Sequence, residues 1–188
     1  MKSYLLAGKY SAVIMLFCCF IVFINMLLPF NLNQLGIVPR SAAHLIGIFF
    51  APFLHAGWSH LFSNFLPFIV FGALIGMHSI KRFWLVFILH IIITGILVWL
   101  FARGNSVHIG MSGVIYSFWG YLIVYGFVRR KLLYIFISLV TLMLYGGLIY
   151  GVLPTQTGVS FESHLLGALA GGLSGYYFAK PASRYRAR

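Results

Sequence analysis

Ser112 lies in the run Gly110-Met111-Ser112-Gly113, which opens one apolar stretch of the chain, and His164 stands near the start of another. A serine hydroxyl is a weak nucleophile until an adjacent base takes its proton, and histidine is the usual base. Polar groups of this kind inside apolar segments are expensive to keep. Side by side, the two make a nucleophile and its base, and within a bilayer that chemistry is peptide-bond hydrolysis. His60 and Asn64 are one helical turn apart, face the same way and both carry donors. Attack on a carbonyl creates an oxyanion that needs such donors, and the Ser112 backbone N–H is a third. The chain contains no aspartate, and Glu162 is its one carboxylate side chain. Residues two apart on a helix do not face each other. Glu162 is therefore not expected to orient His164, and the reading is a Ser–His dyad rather than a triad.

The elements that must position these residues are membrane spans. Of the 188 residues, 62% are hydrophobic and 7% charged, against about 25% charged in a soluble domain. Thirteen Lys and Arg against one acid give a formal charge of +12. The basic residues punctuate apolar runs, so they read as topology signals and contacts with anionic lipid headgroups rather than as a nucleic-acid surface. Runs long enough to cross, about 20 residues, are expected at 10–30, 58–79, 83–102, 112–128, 132–152 and 163–179. The first is longer than a signal-peptide core and no small-x-small cleavage site follows, so it reads as a retained helix. With six spans, eleven basic residues share a side with both termini and two, Arg40 and Arg103, take the other. That excess places both termini in the cytoplasm. Residues 37–57 are apolar but interrupted by Pro39, Gly47, Pro52 and Gly57, so they are expected to form a loop with short helices, partly sunk in the outer leaflet. The fold class is an all-α, six-helix membrane bundle forming one domain over 1–188. Cys18 and Cys19 are adjacent, lack metal-ligand spacing and read as small apolar residues.

Depth ties the polar residues together. At 1.5 Å rise per residue, Ser112 lies about 26 Å above Arg129, Asn64 about 26 Å above Lys81, and His164 about 24 Å above Lys180. Against a hydrocarbon core of about 30 Å, all three fall a few ångströms below the outer surface, where water can enter. Gly167, Gly171 and Gly175 share the His164 face, and Gly113, Ser117 and Gly120 run down the Ser112 helix. Stripes of small residues are the usual close contact between membrane helices. Tyr116, one turn below Ser112, is placed to pack beneath the His164 ring or to serve as an ordinary core tyrosine. The segment 153–161, with Pro154 and Gly158, is the natural lid.

These residues resemble the rhomboid intramembrane serine proteases, most closely the short bacterial form, over nearly the whole chain. The motifs are Gly110-x-Ser112-Gly113, His60-x-x-x-Asn64 and His164-x-x-Gly167-x-x-x-Gly171. The resemblance implies Ser112 as nucleophile, His164 as base, and His60 and Asn64 as oxyanion partners. It implies Tyr116 as the aromatic residue one turn after the serine, and His55 as a histidine often found five residues before the His60 position. The implied substrates are transmembrane proteins with an unstable helix top, cut near the outer surface of the bacterial inner membrane. No cofactor, metal, nucleic acid or obligate partner is implied. Two features depart from the family pattern. No Trp-Arg pair is evident around residues 40–50, and Glu162 stands where a small residue is usual.

Two other classes fit less well. A haem-binding cytochrome needs paired axial histidines, and His90, the main extra histidine within a span, has no evident partner at its depth. His44, His55, His78 and His108 fall near loops. A proton-coupled transporter usually places acids in mid-membrane, and none lies there. His-Glu-x-x-His is absent and paired aspartates are impossible, which removes the other intramembrane protease types.

Overall fold

The computed structural model describes residues 2–154 and 160–180. Lid residues 155–159, which include Gly158, and the basic residues Arg184, Arg186 and Arg188 lie outside the described residues. The described chain is helical: α1 (Ser3–Leu27), α2 (Gly47–Phe50), α3 (Trp58–Gly76), α4 (Ile80–Phe101), α5 (Ser112–Arg129), α6 (Leu132–Tyr145) and α7 (Phe161–Ala179). No strand is present among the described residues, only an isolated antiparallel bridge between Ile37 and His108.

Helix ends follow local chemistry. The Ser79 hydroxyl accepts the Arg82 N–H and caps α4, and the Ser160 hydroxyl accepts the Ser163 N–H and caps α7. Arg130 stops α5 in the left-handed region, with φ 55°. The Gly146-Gly147 pair converts α6 into a 3₁₀ helix over Gly146–Val152, since glycine weakens an α-helix. The expected run 10–30 begins earlier as a helix, at Ser3. Lysine favours helix, so Lys9 marks polarity without interrupting the backbone.

Four helical segments are long and apolar enough to cross a membrane: Ser3–Leu27, Trp58–Gly76, Ile80–Phe101 and Leu132–Val152. Helices α5 and α7 are of similar length but richer in Gly, Ser and Tyr. Helix α5 is the most enclosed, packed on α7, α6, α3 and α4. Phe68, Phe87 and Phe118 join α3, α4 and α5 through one aromatic cluster. Large apolar side chains such as Phe17, Phe20, Phe136 and Met143 face outward, while Asn64, His90, Ser117 and Ser138 are buried. An apolar exterior around buried polar groups suits a lipid surrounding.

The expected seam is present between α5 and α7. A Cβ on Gly167 would fall on the Gly113 carbonyl, and one on Gly171 on the Ser117 carbonyl. The two backbones therefore touch.

The loop with short helices expected over 37–57 is present and begins earlier, running over 28–57 with 3₁₀ turns at Leu32–Leu35, Ala42–His44 and Ala51–Phe53 around α2. Its anchor is Arg40 against the end of α4. The Arg40 N–H donates to the Trp99 carbonyl at 2.9 Å, and its guanidinium donates to the Leu100 and Ala102 carbonyls at 3.2 and 2.8 Å. The Trp99 indole donates back to the Ser41 carbonyl at 2.9 Å. Arg40 and Trp99 thus tie the loop to α4 by reciprocal hydrogen bonds.

Candidate active site

Ser112 is the first residue of α5, so its backbone N–H belongs to the set that an α-helix leaves unpaired at its start. The turn before it is pinned to the first loop. Gly110 N–H donates to the Ala51 carbonyl at 2.8 Å, and Met111 N–H reaches His55 Nε2 at 3.4 Å. Gly110 has φ 113°, a conformation suited to glycine, and a Cβ there would also meet the His60 ring at 2.8 Å. His60 therefore lies against the turn that presents Ser112.

Tautomers follow from partners. Ala56 N–H points to His60 Nδ1 at 3.5 Å, which leaves Nε2 as the donor nitrogen of a neutral ring. Asn64, buried and one turn along α3, donates an amide hydrogen to the His60 carbonyl at 2.9 Å. The other amide hydrogen is available to a second acceptor.

His164, in the first turn of α7, brings the second half of the pair. Its Nε2 is 2.9 Å from Ser112 Oγ, and its Nδ1 is 2.9 Å from the Gly151 carbonyl oxygen. A carbonyl only accepts, so Nδ1 carries the proton and Nε2 faces the serine hydroxyl as acceptor. The ring is buried and stacked on Tyr116. Ser112, His164, His60 and Tyr116 thus form one cluster with Gly110 and Gly113 at the Ser112 turn. Gly167 and Gly171 lie along the seam beneath it, and His55 supports the turn from behind.

Glu162 pairs with Arg103. Its Oε1 is 3.4 Å from Arg103 Nε, tying the first turn of α7 to the end of α4. His90 pairs with Ser174 at 2.7 Å across α4 and α7.

Sequence reasoning missed Gly151 and a polar cluster at the α7 cap. Nδ1 of His108 contacts the Ser160 hydroxyl at 2.5 Å, and Ser160 in turn contacts Ser163 at 2.6 Å. Burial pushes the His108 ring below its ordinary pKa. A signal for this cluster existed in the Ser160-x-x-Ser163 capping spacing, but nothing in the sequence joined it to His108.

The Rhomboid domain pattern matches residues 42–181. An uncharacterised protein of Mycobacterium tuberculosis is 38% identical over 166 residues, covering 84% of this chain and 69% of its own length. A Mycobacterium bovis protein gives the same figures. One from Mycobacterium leprae is 37% identical over 173 residues, covering 87% of this chain and 68% of its own. The chain belongs to the rhomboid family, a family of intramembrane serine proteases, and its apolar helices accord with an integral membrane protein.

Proposed function

We propose that this protein is an intramembrane serine endopeptidase working through a Ser112–His164 dyad. The observation that carries the reading is the 2.9 Å contact of His164 Nε2 with Ser112 Oγ, with the other ring nitrogen held elsewhere. Ser112 Oγ attacks the substrate carbonyl carbon as its proton passes to His164 Nε2. The oxyanion rests against the Ser112 N–H, His60 Nε2–H and Asn64. The C–N bond then breaks, and His164 gives its proton to the leaving amine. Water next attacks the acyl-enzyme through the same base, the Oγ–C bond breaks, and the proton returns to Ser112.

The proposal includes six spans within one domain, α1 and α3 through α7, with both termini cytoplasmic in a bacterial inner membrane. Helices α5 and α7 are long enough to cross once flanked by the more apolar helices. On that arrangement the dyad lies near the outer surface, and transmembrane protein substrates reach it from the lipid. Surrounding lipids are the other partners.

The test is covalent labelling. Purified protein treated with a fluorophosphonate should carry the label on Ser112, and Ser112→Ala should neither label nor cleave a model transmembrane substrate. Normal turnover by folded Ser112→Ala ends the reading.

A further inference from the structure

The Gly151 carbonyl occupies the place where a triad would put a carboxylate. We propose that this carbonyl is the positioning group of the dyad, fixing both the rotation and the tautomer of His164. The inference rests on the reading of Ser112 and His164 given above.

The sequence explains why this carbonyl is free. In a 3₁₀ helix, the carbonyl of residue i takes the N–H of residue i+3. Within Gly146–Val152 this works for Tyr150, whose carbonyl accepts the Leu153 N–H at 3.3 Å. For Gly151 the corresponding residue is Pro154, which has no N–H. Helix ends leave carbonyls that need outside partners. His164 Nδ1 supplies one at 2.9 Å.

Space gives an independent observation. A Cβ on Gly151 would fall on the Tyr116 hydroxyl and lie 3.2 Å from His164 Nδ1. Glycine is what allows the backbone to come this close to the imidazole edge. Tyr116 fixes the plane of the ring by stacking. Stacking alone permits the ring to turn within its plane or to exchange tautomers. The Gly151 carbonyl removes both freedoms, because it accepts from Nδ1–H and leaves the Nε2 lone pair toward Ser112. A neutral carbonyl stabilises the imidazolium less than a carboxylate would. Its contribution is chiefly orientation.

The three members sit on different elements: Ser112 on α5, His164 on α7, Gly151 on the 3₁₀ extension of α6. Alignment of the base therefore depends on the end of α6 staying in place.

The experiment is ¹⁵N NMR of histidine-labelled Ser112→Ala protein in micelles, with the His164 signals assigned by their loss in His164→Gln. Without the nucleophile the readout is independent of proteolysis. The expected result is a single tautomer, protonated at Nδ1. Adding Gly151→Ala should replace it with a mixture. Adding Pro154→Ala, which keeps the glycine and introduces a competing N–H, should do so more weakly. With Ser112 restored, Gly151→Ala should lower kcat by roughly 10²-fold, the lower end of a positioned base's contribution, with KM nearly unchanged. Pro154→Ala should lower kcat by less. Unchanged tautomer and kcat in both variants, with Ser112 still labelled by fluorophosphonate, overturn this inference alone. Absence of label on Ser112 in the parent protein overturns the dyad reading beneath it.

Discussion

The Tyr116 ring lies parallel to the His164 imidazole, with centroids 4.1 Å apart and planes within 7°. An aromatic pair of this kind contributes about 0.5–1.5 kcal/mol beyond burial. Tyr116→Phe keeps the shelf and should keep turnover within about twofold. Tyr116→Leu removes the flat surface and should lower kcat by roughly 2- to 13-fold, the same energy expressed as a rate. Steady-state kinetics on a model transmembrane substrate check this. Equal kcat for the Phe and Leu variants would remove the shelf from the mechanism.

His55 sets a pH limit on stability. Burial, then the nearby His60 ring, lowers its pKa from 6.5 to about 4, against a weaker opposing pull from the Phe53 carbonyl. The unfolded chain therefore binds this proton first as pH falls. Stability from the neutral ring is full above about pH 6.5 and is lost progressively down to about pH 4, by at most about 3 kcal/mol. Thermal unfolding from pH 7 to pH 4 should show the parent losing more than His55→Gln. Parallel curves would contradict the assignment.

Glu162 should be dispensable for turnover. Its carboxylate meets Arg103, not His164. Because the Arg103 side chain is half exposed, the pair should contribute no more than about 1 kcal/mol. Glu162→Gln should retain most of kcat, whereas amidating a triad carboxylate costs about 10⁴-fold. A drop of that size, measured in single-turnover kinetics, would make Glu162 a working part of the site.

The first loop should depend on the crossed contact between Arg40 and Trp99. Trp99→Phe removes the indole donor to Ser41 and should cost about 1 kcal/mol of stability. Arg40→Ala removes two donors to carbonyls and should cost more. Limited proteolysis between residues 40 and 57 reads the loop directly. Cleavage no faster than in the parent would show that the loop is held elsewhere.

Topology is testable at two exposed sites. In a Cys18→Ala/Cys19→Ala background, Val107→Cys should react with a membrane-impermeant thiol reagent from the periplasmic side only. Lys131→Cys should react only after the cytoplasmic face is opened. The reverse pattern would invert the proposed orientation and the depth of the site with it.

Much of the fold was legible because apolar length, basic punctuation and small-residue stripes are one-dimensional signals. The stripe at Gly167 and Gly171 announced a close helix contact, and the structure places those glycines on the Gly113 and Ser117 carbonyls. Helix geometry alone gave the expectation that Glu162 does not orient His164, and the structure pairs its carboxylate with Arg103. What the sequence hid were partners joined by backbone atoms. Gly151 contributes a carbonyl, which every residue has, so no residue type flagged it. Arg40 and Trp99 were invisible as a pair because they lie 59 positions apart. His90 showed no partner when only histidines were considered, yet Ser174 was there.

The two helices that bring Ser112 and His164 together are also the two long helices outside the set apolar enough to cross on composition alone. Insertion into lipid disfavours each added polar group. In the proposed six-span arrangement α5 and α7 depend on their neighbours for entry, and α7 follows the others in the chain. The meeting of Ser112 with His164 then falls late in biogenesis. On the proposed mechanism, a nascent chain held before α7 is delivered carries Ser112 without His164 and cannot cleave until its own assembly is complete.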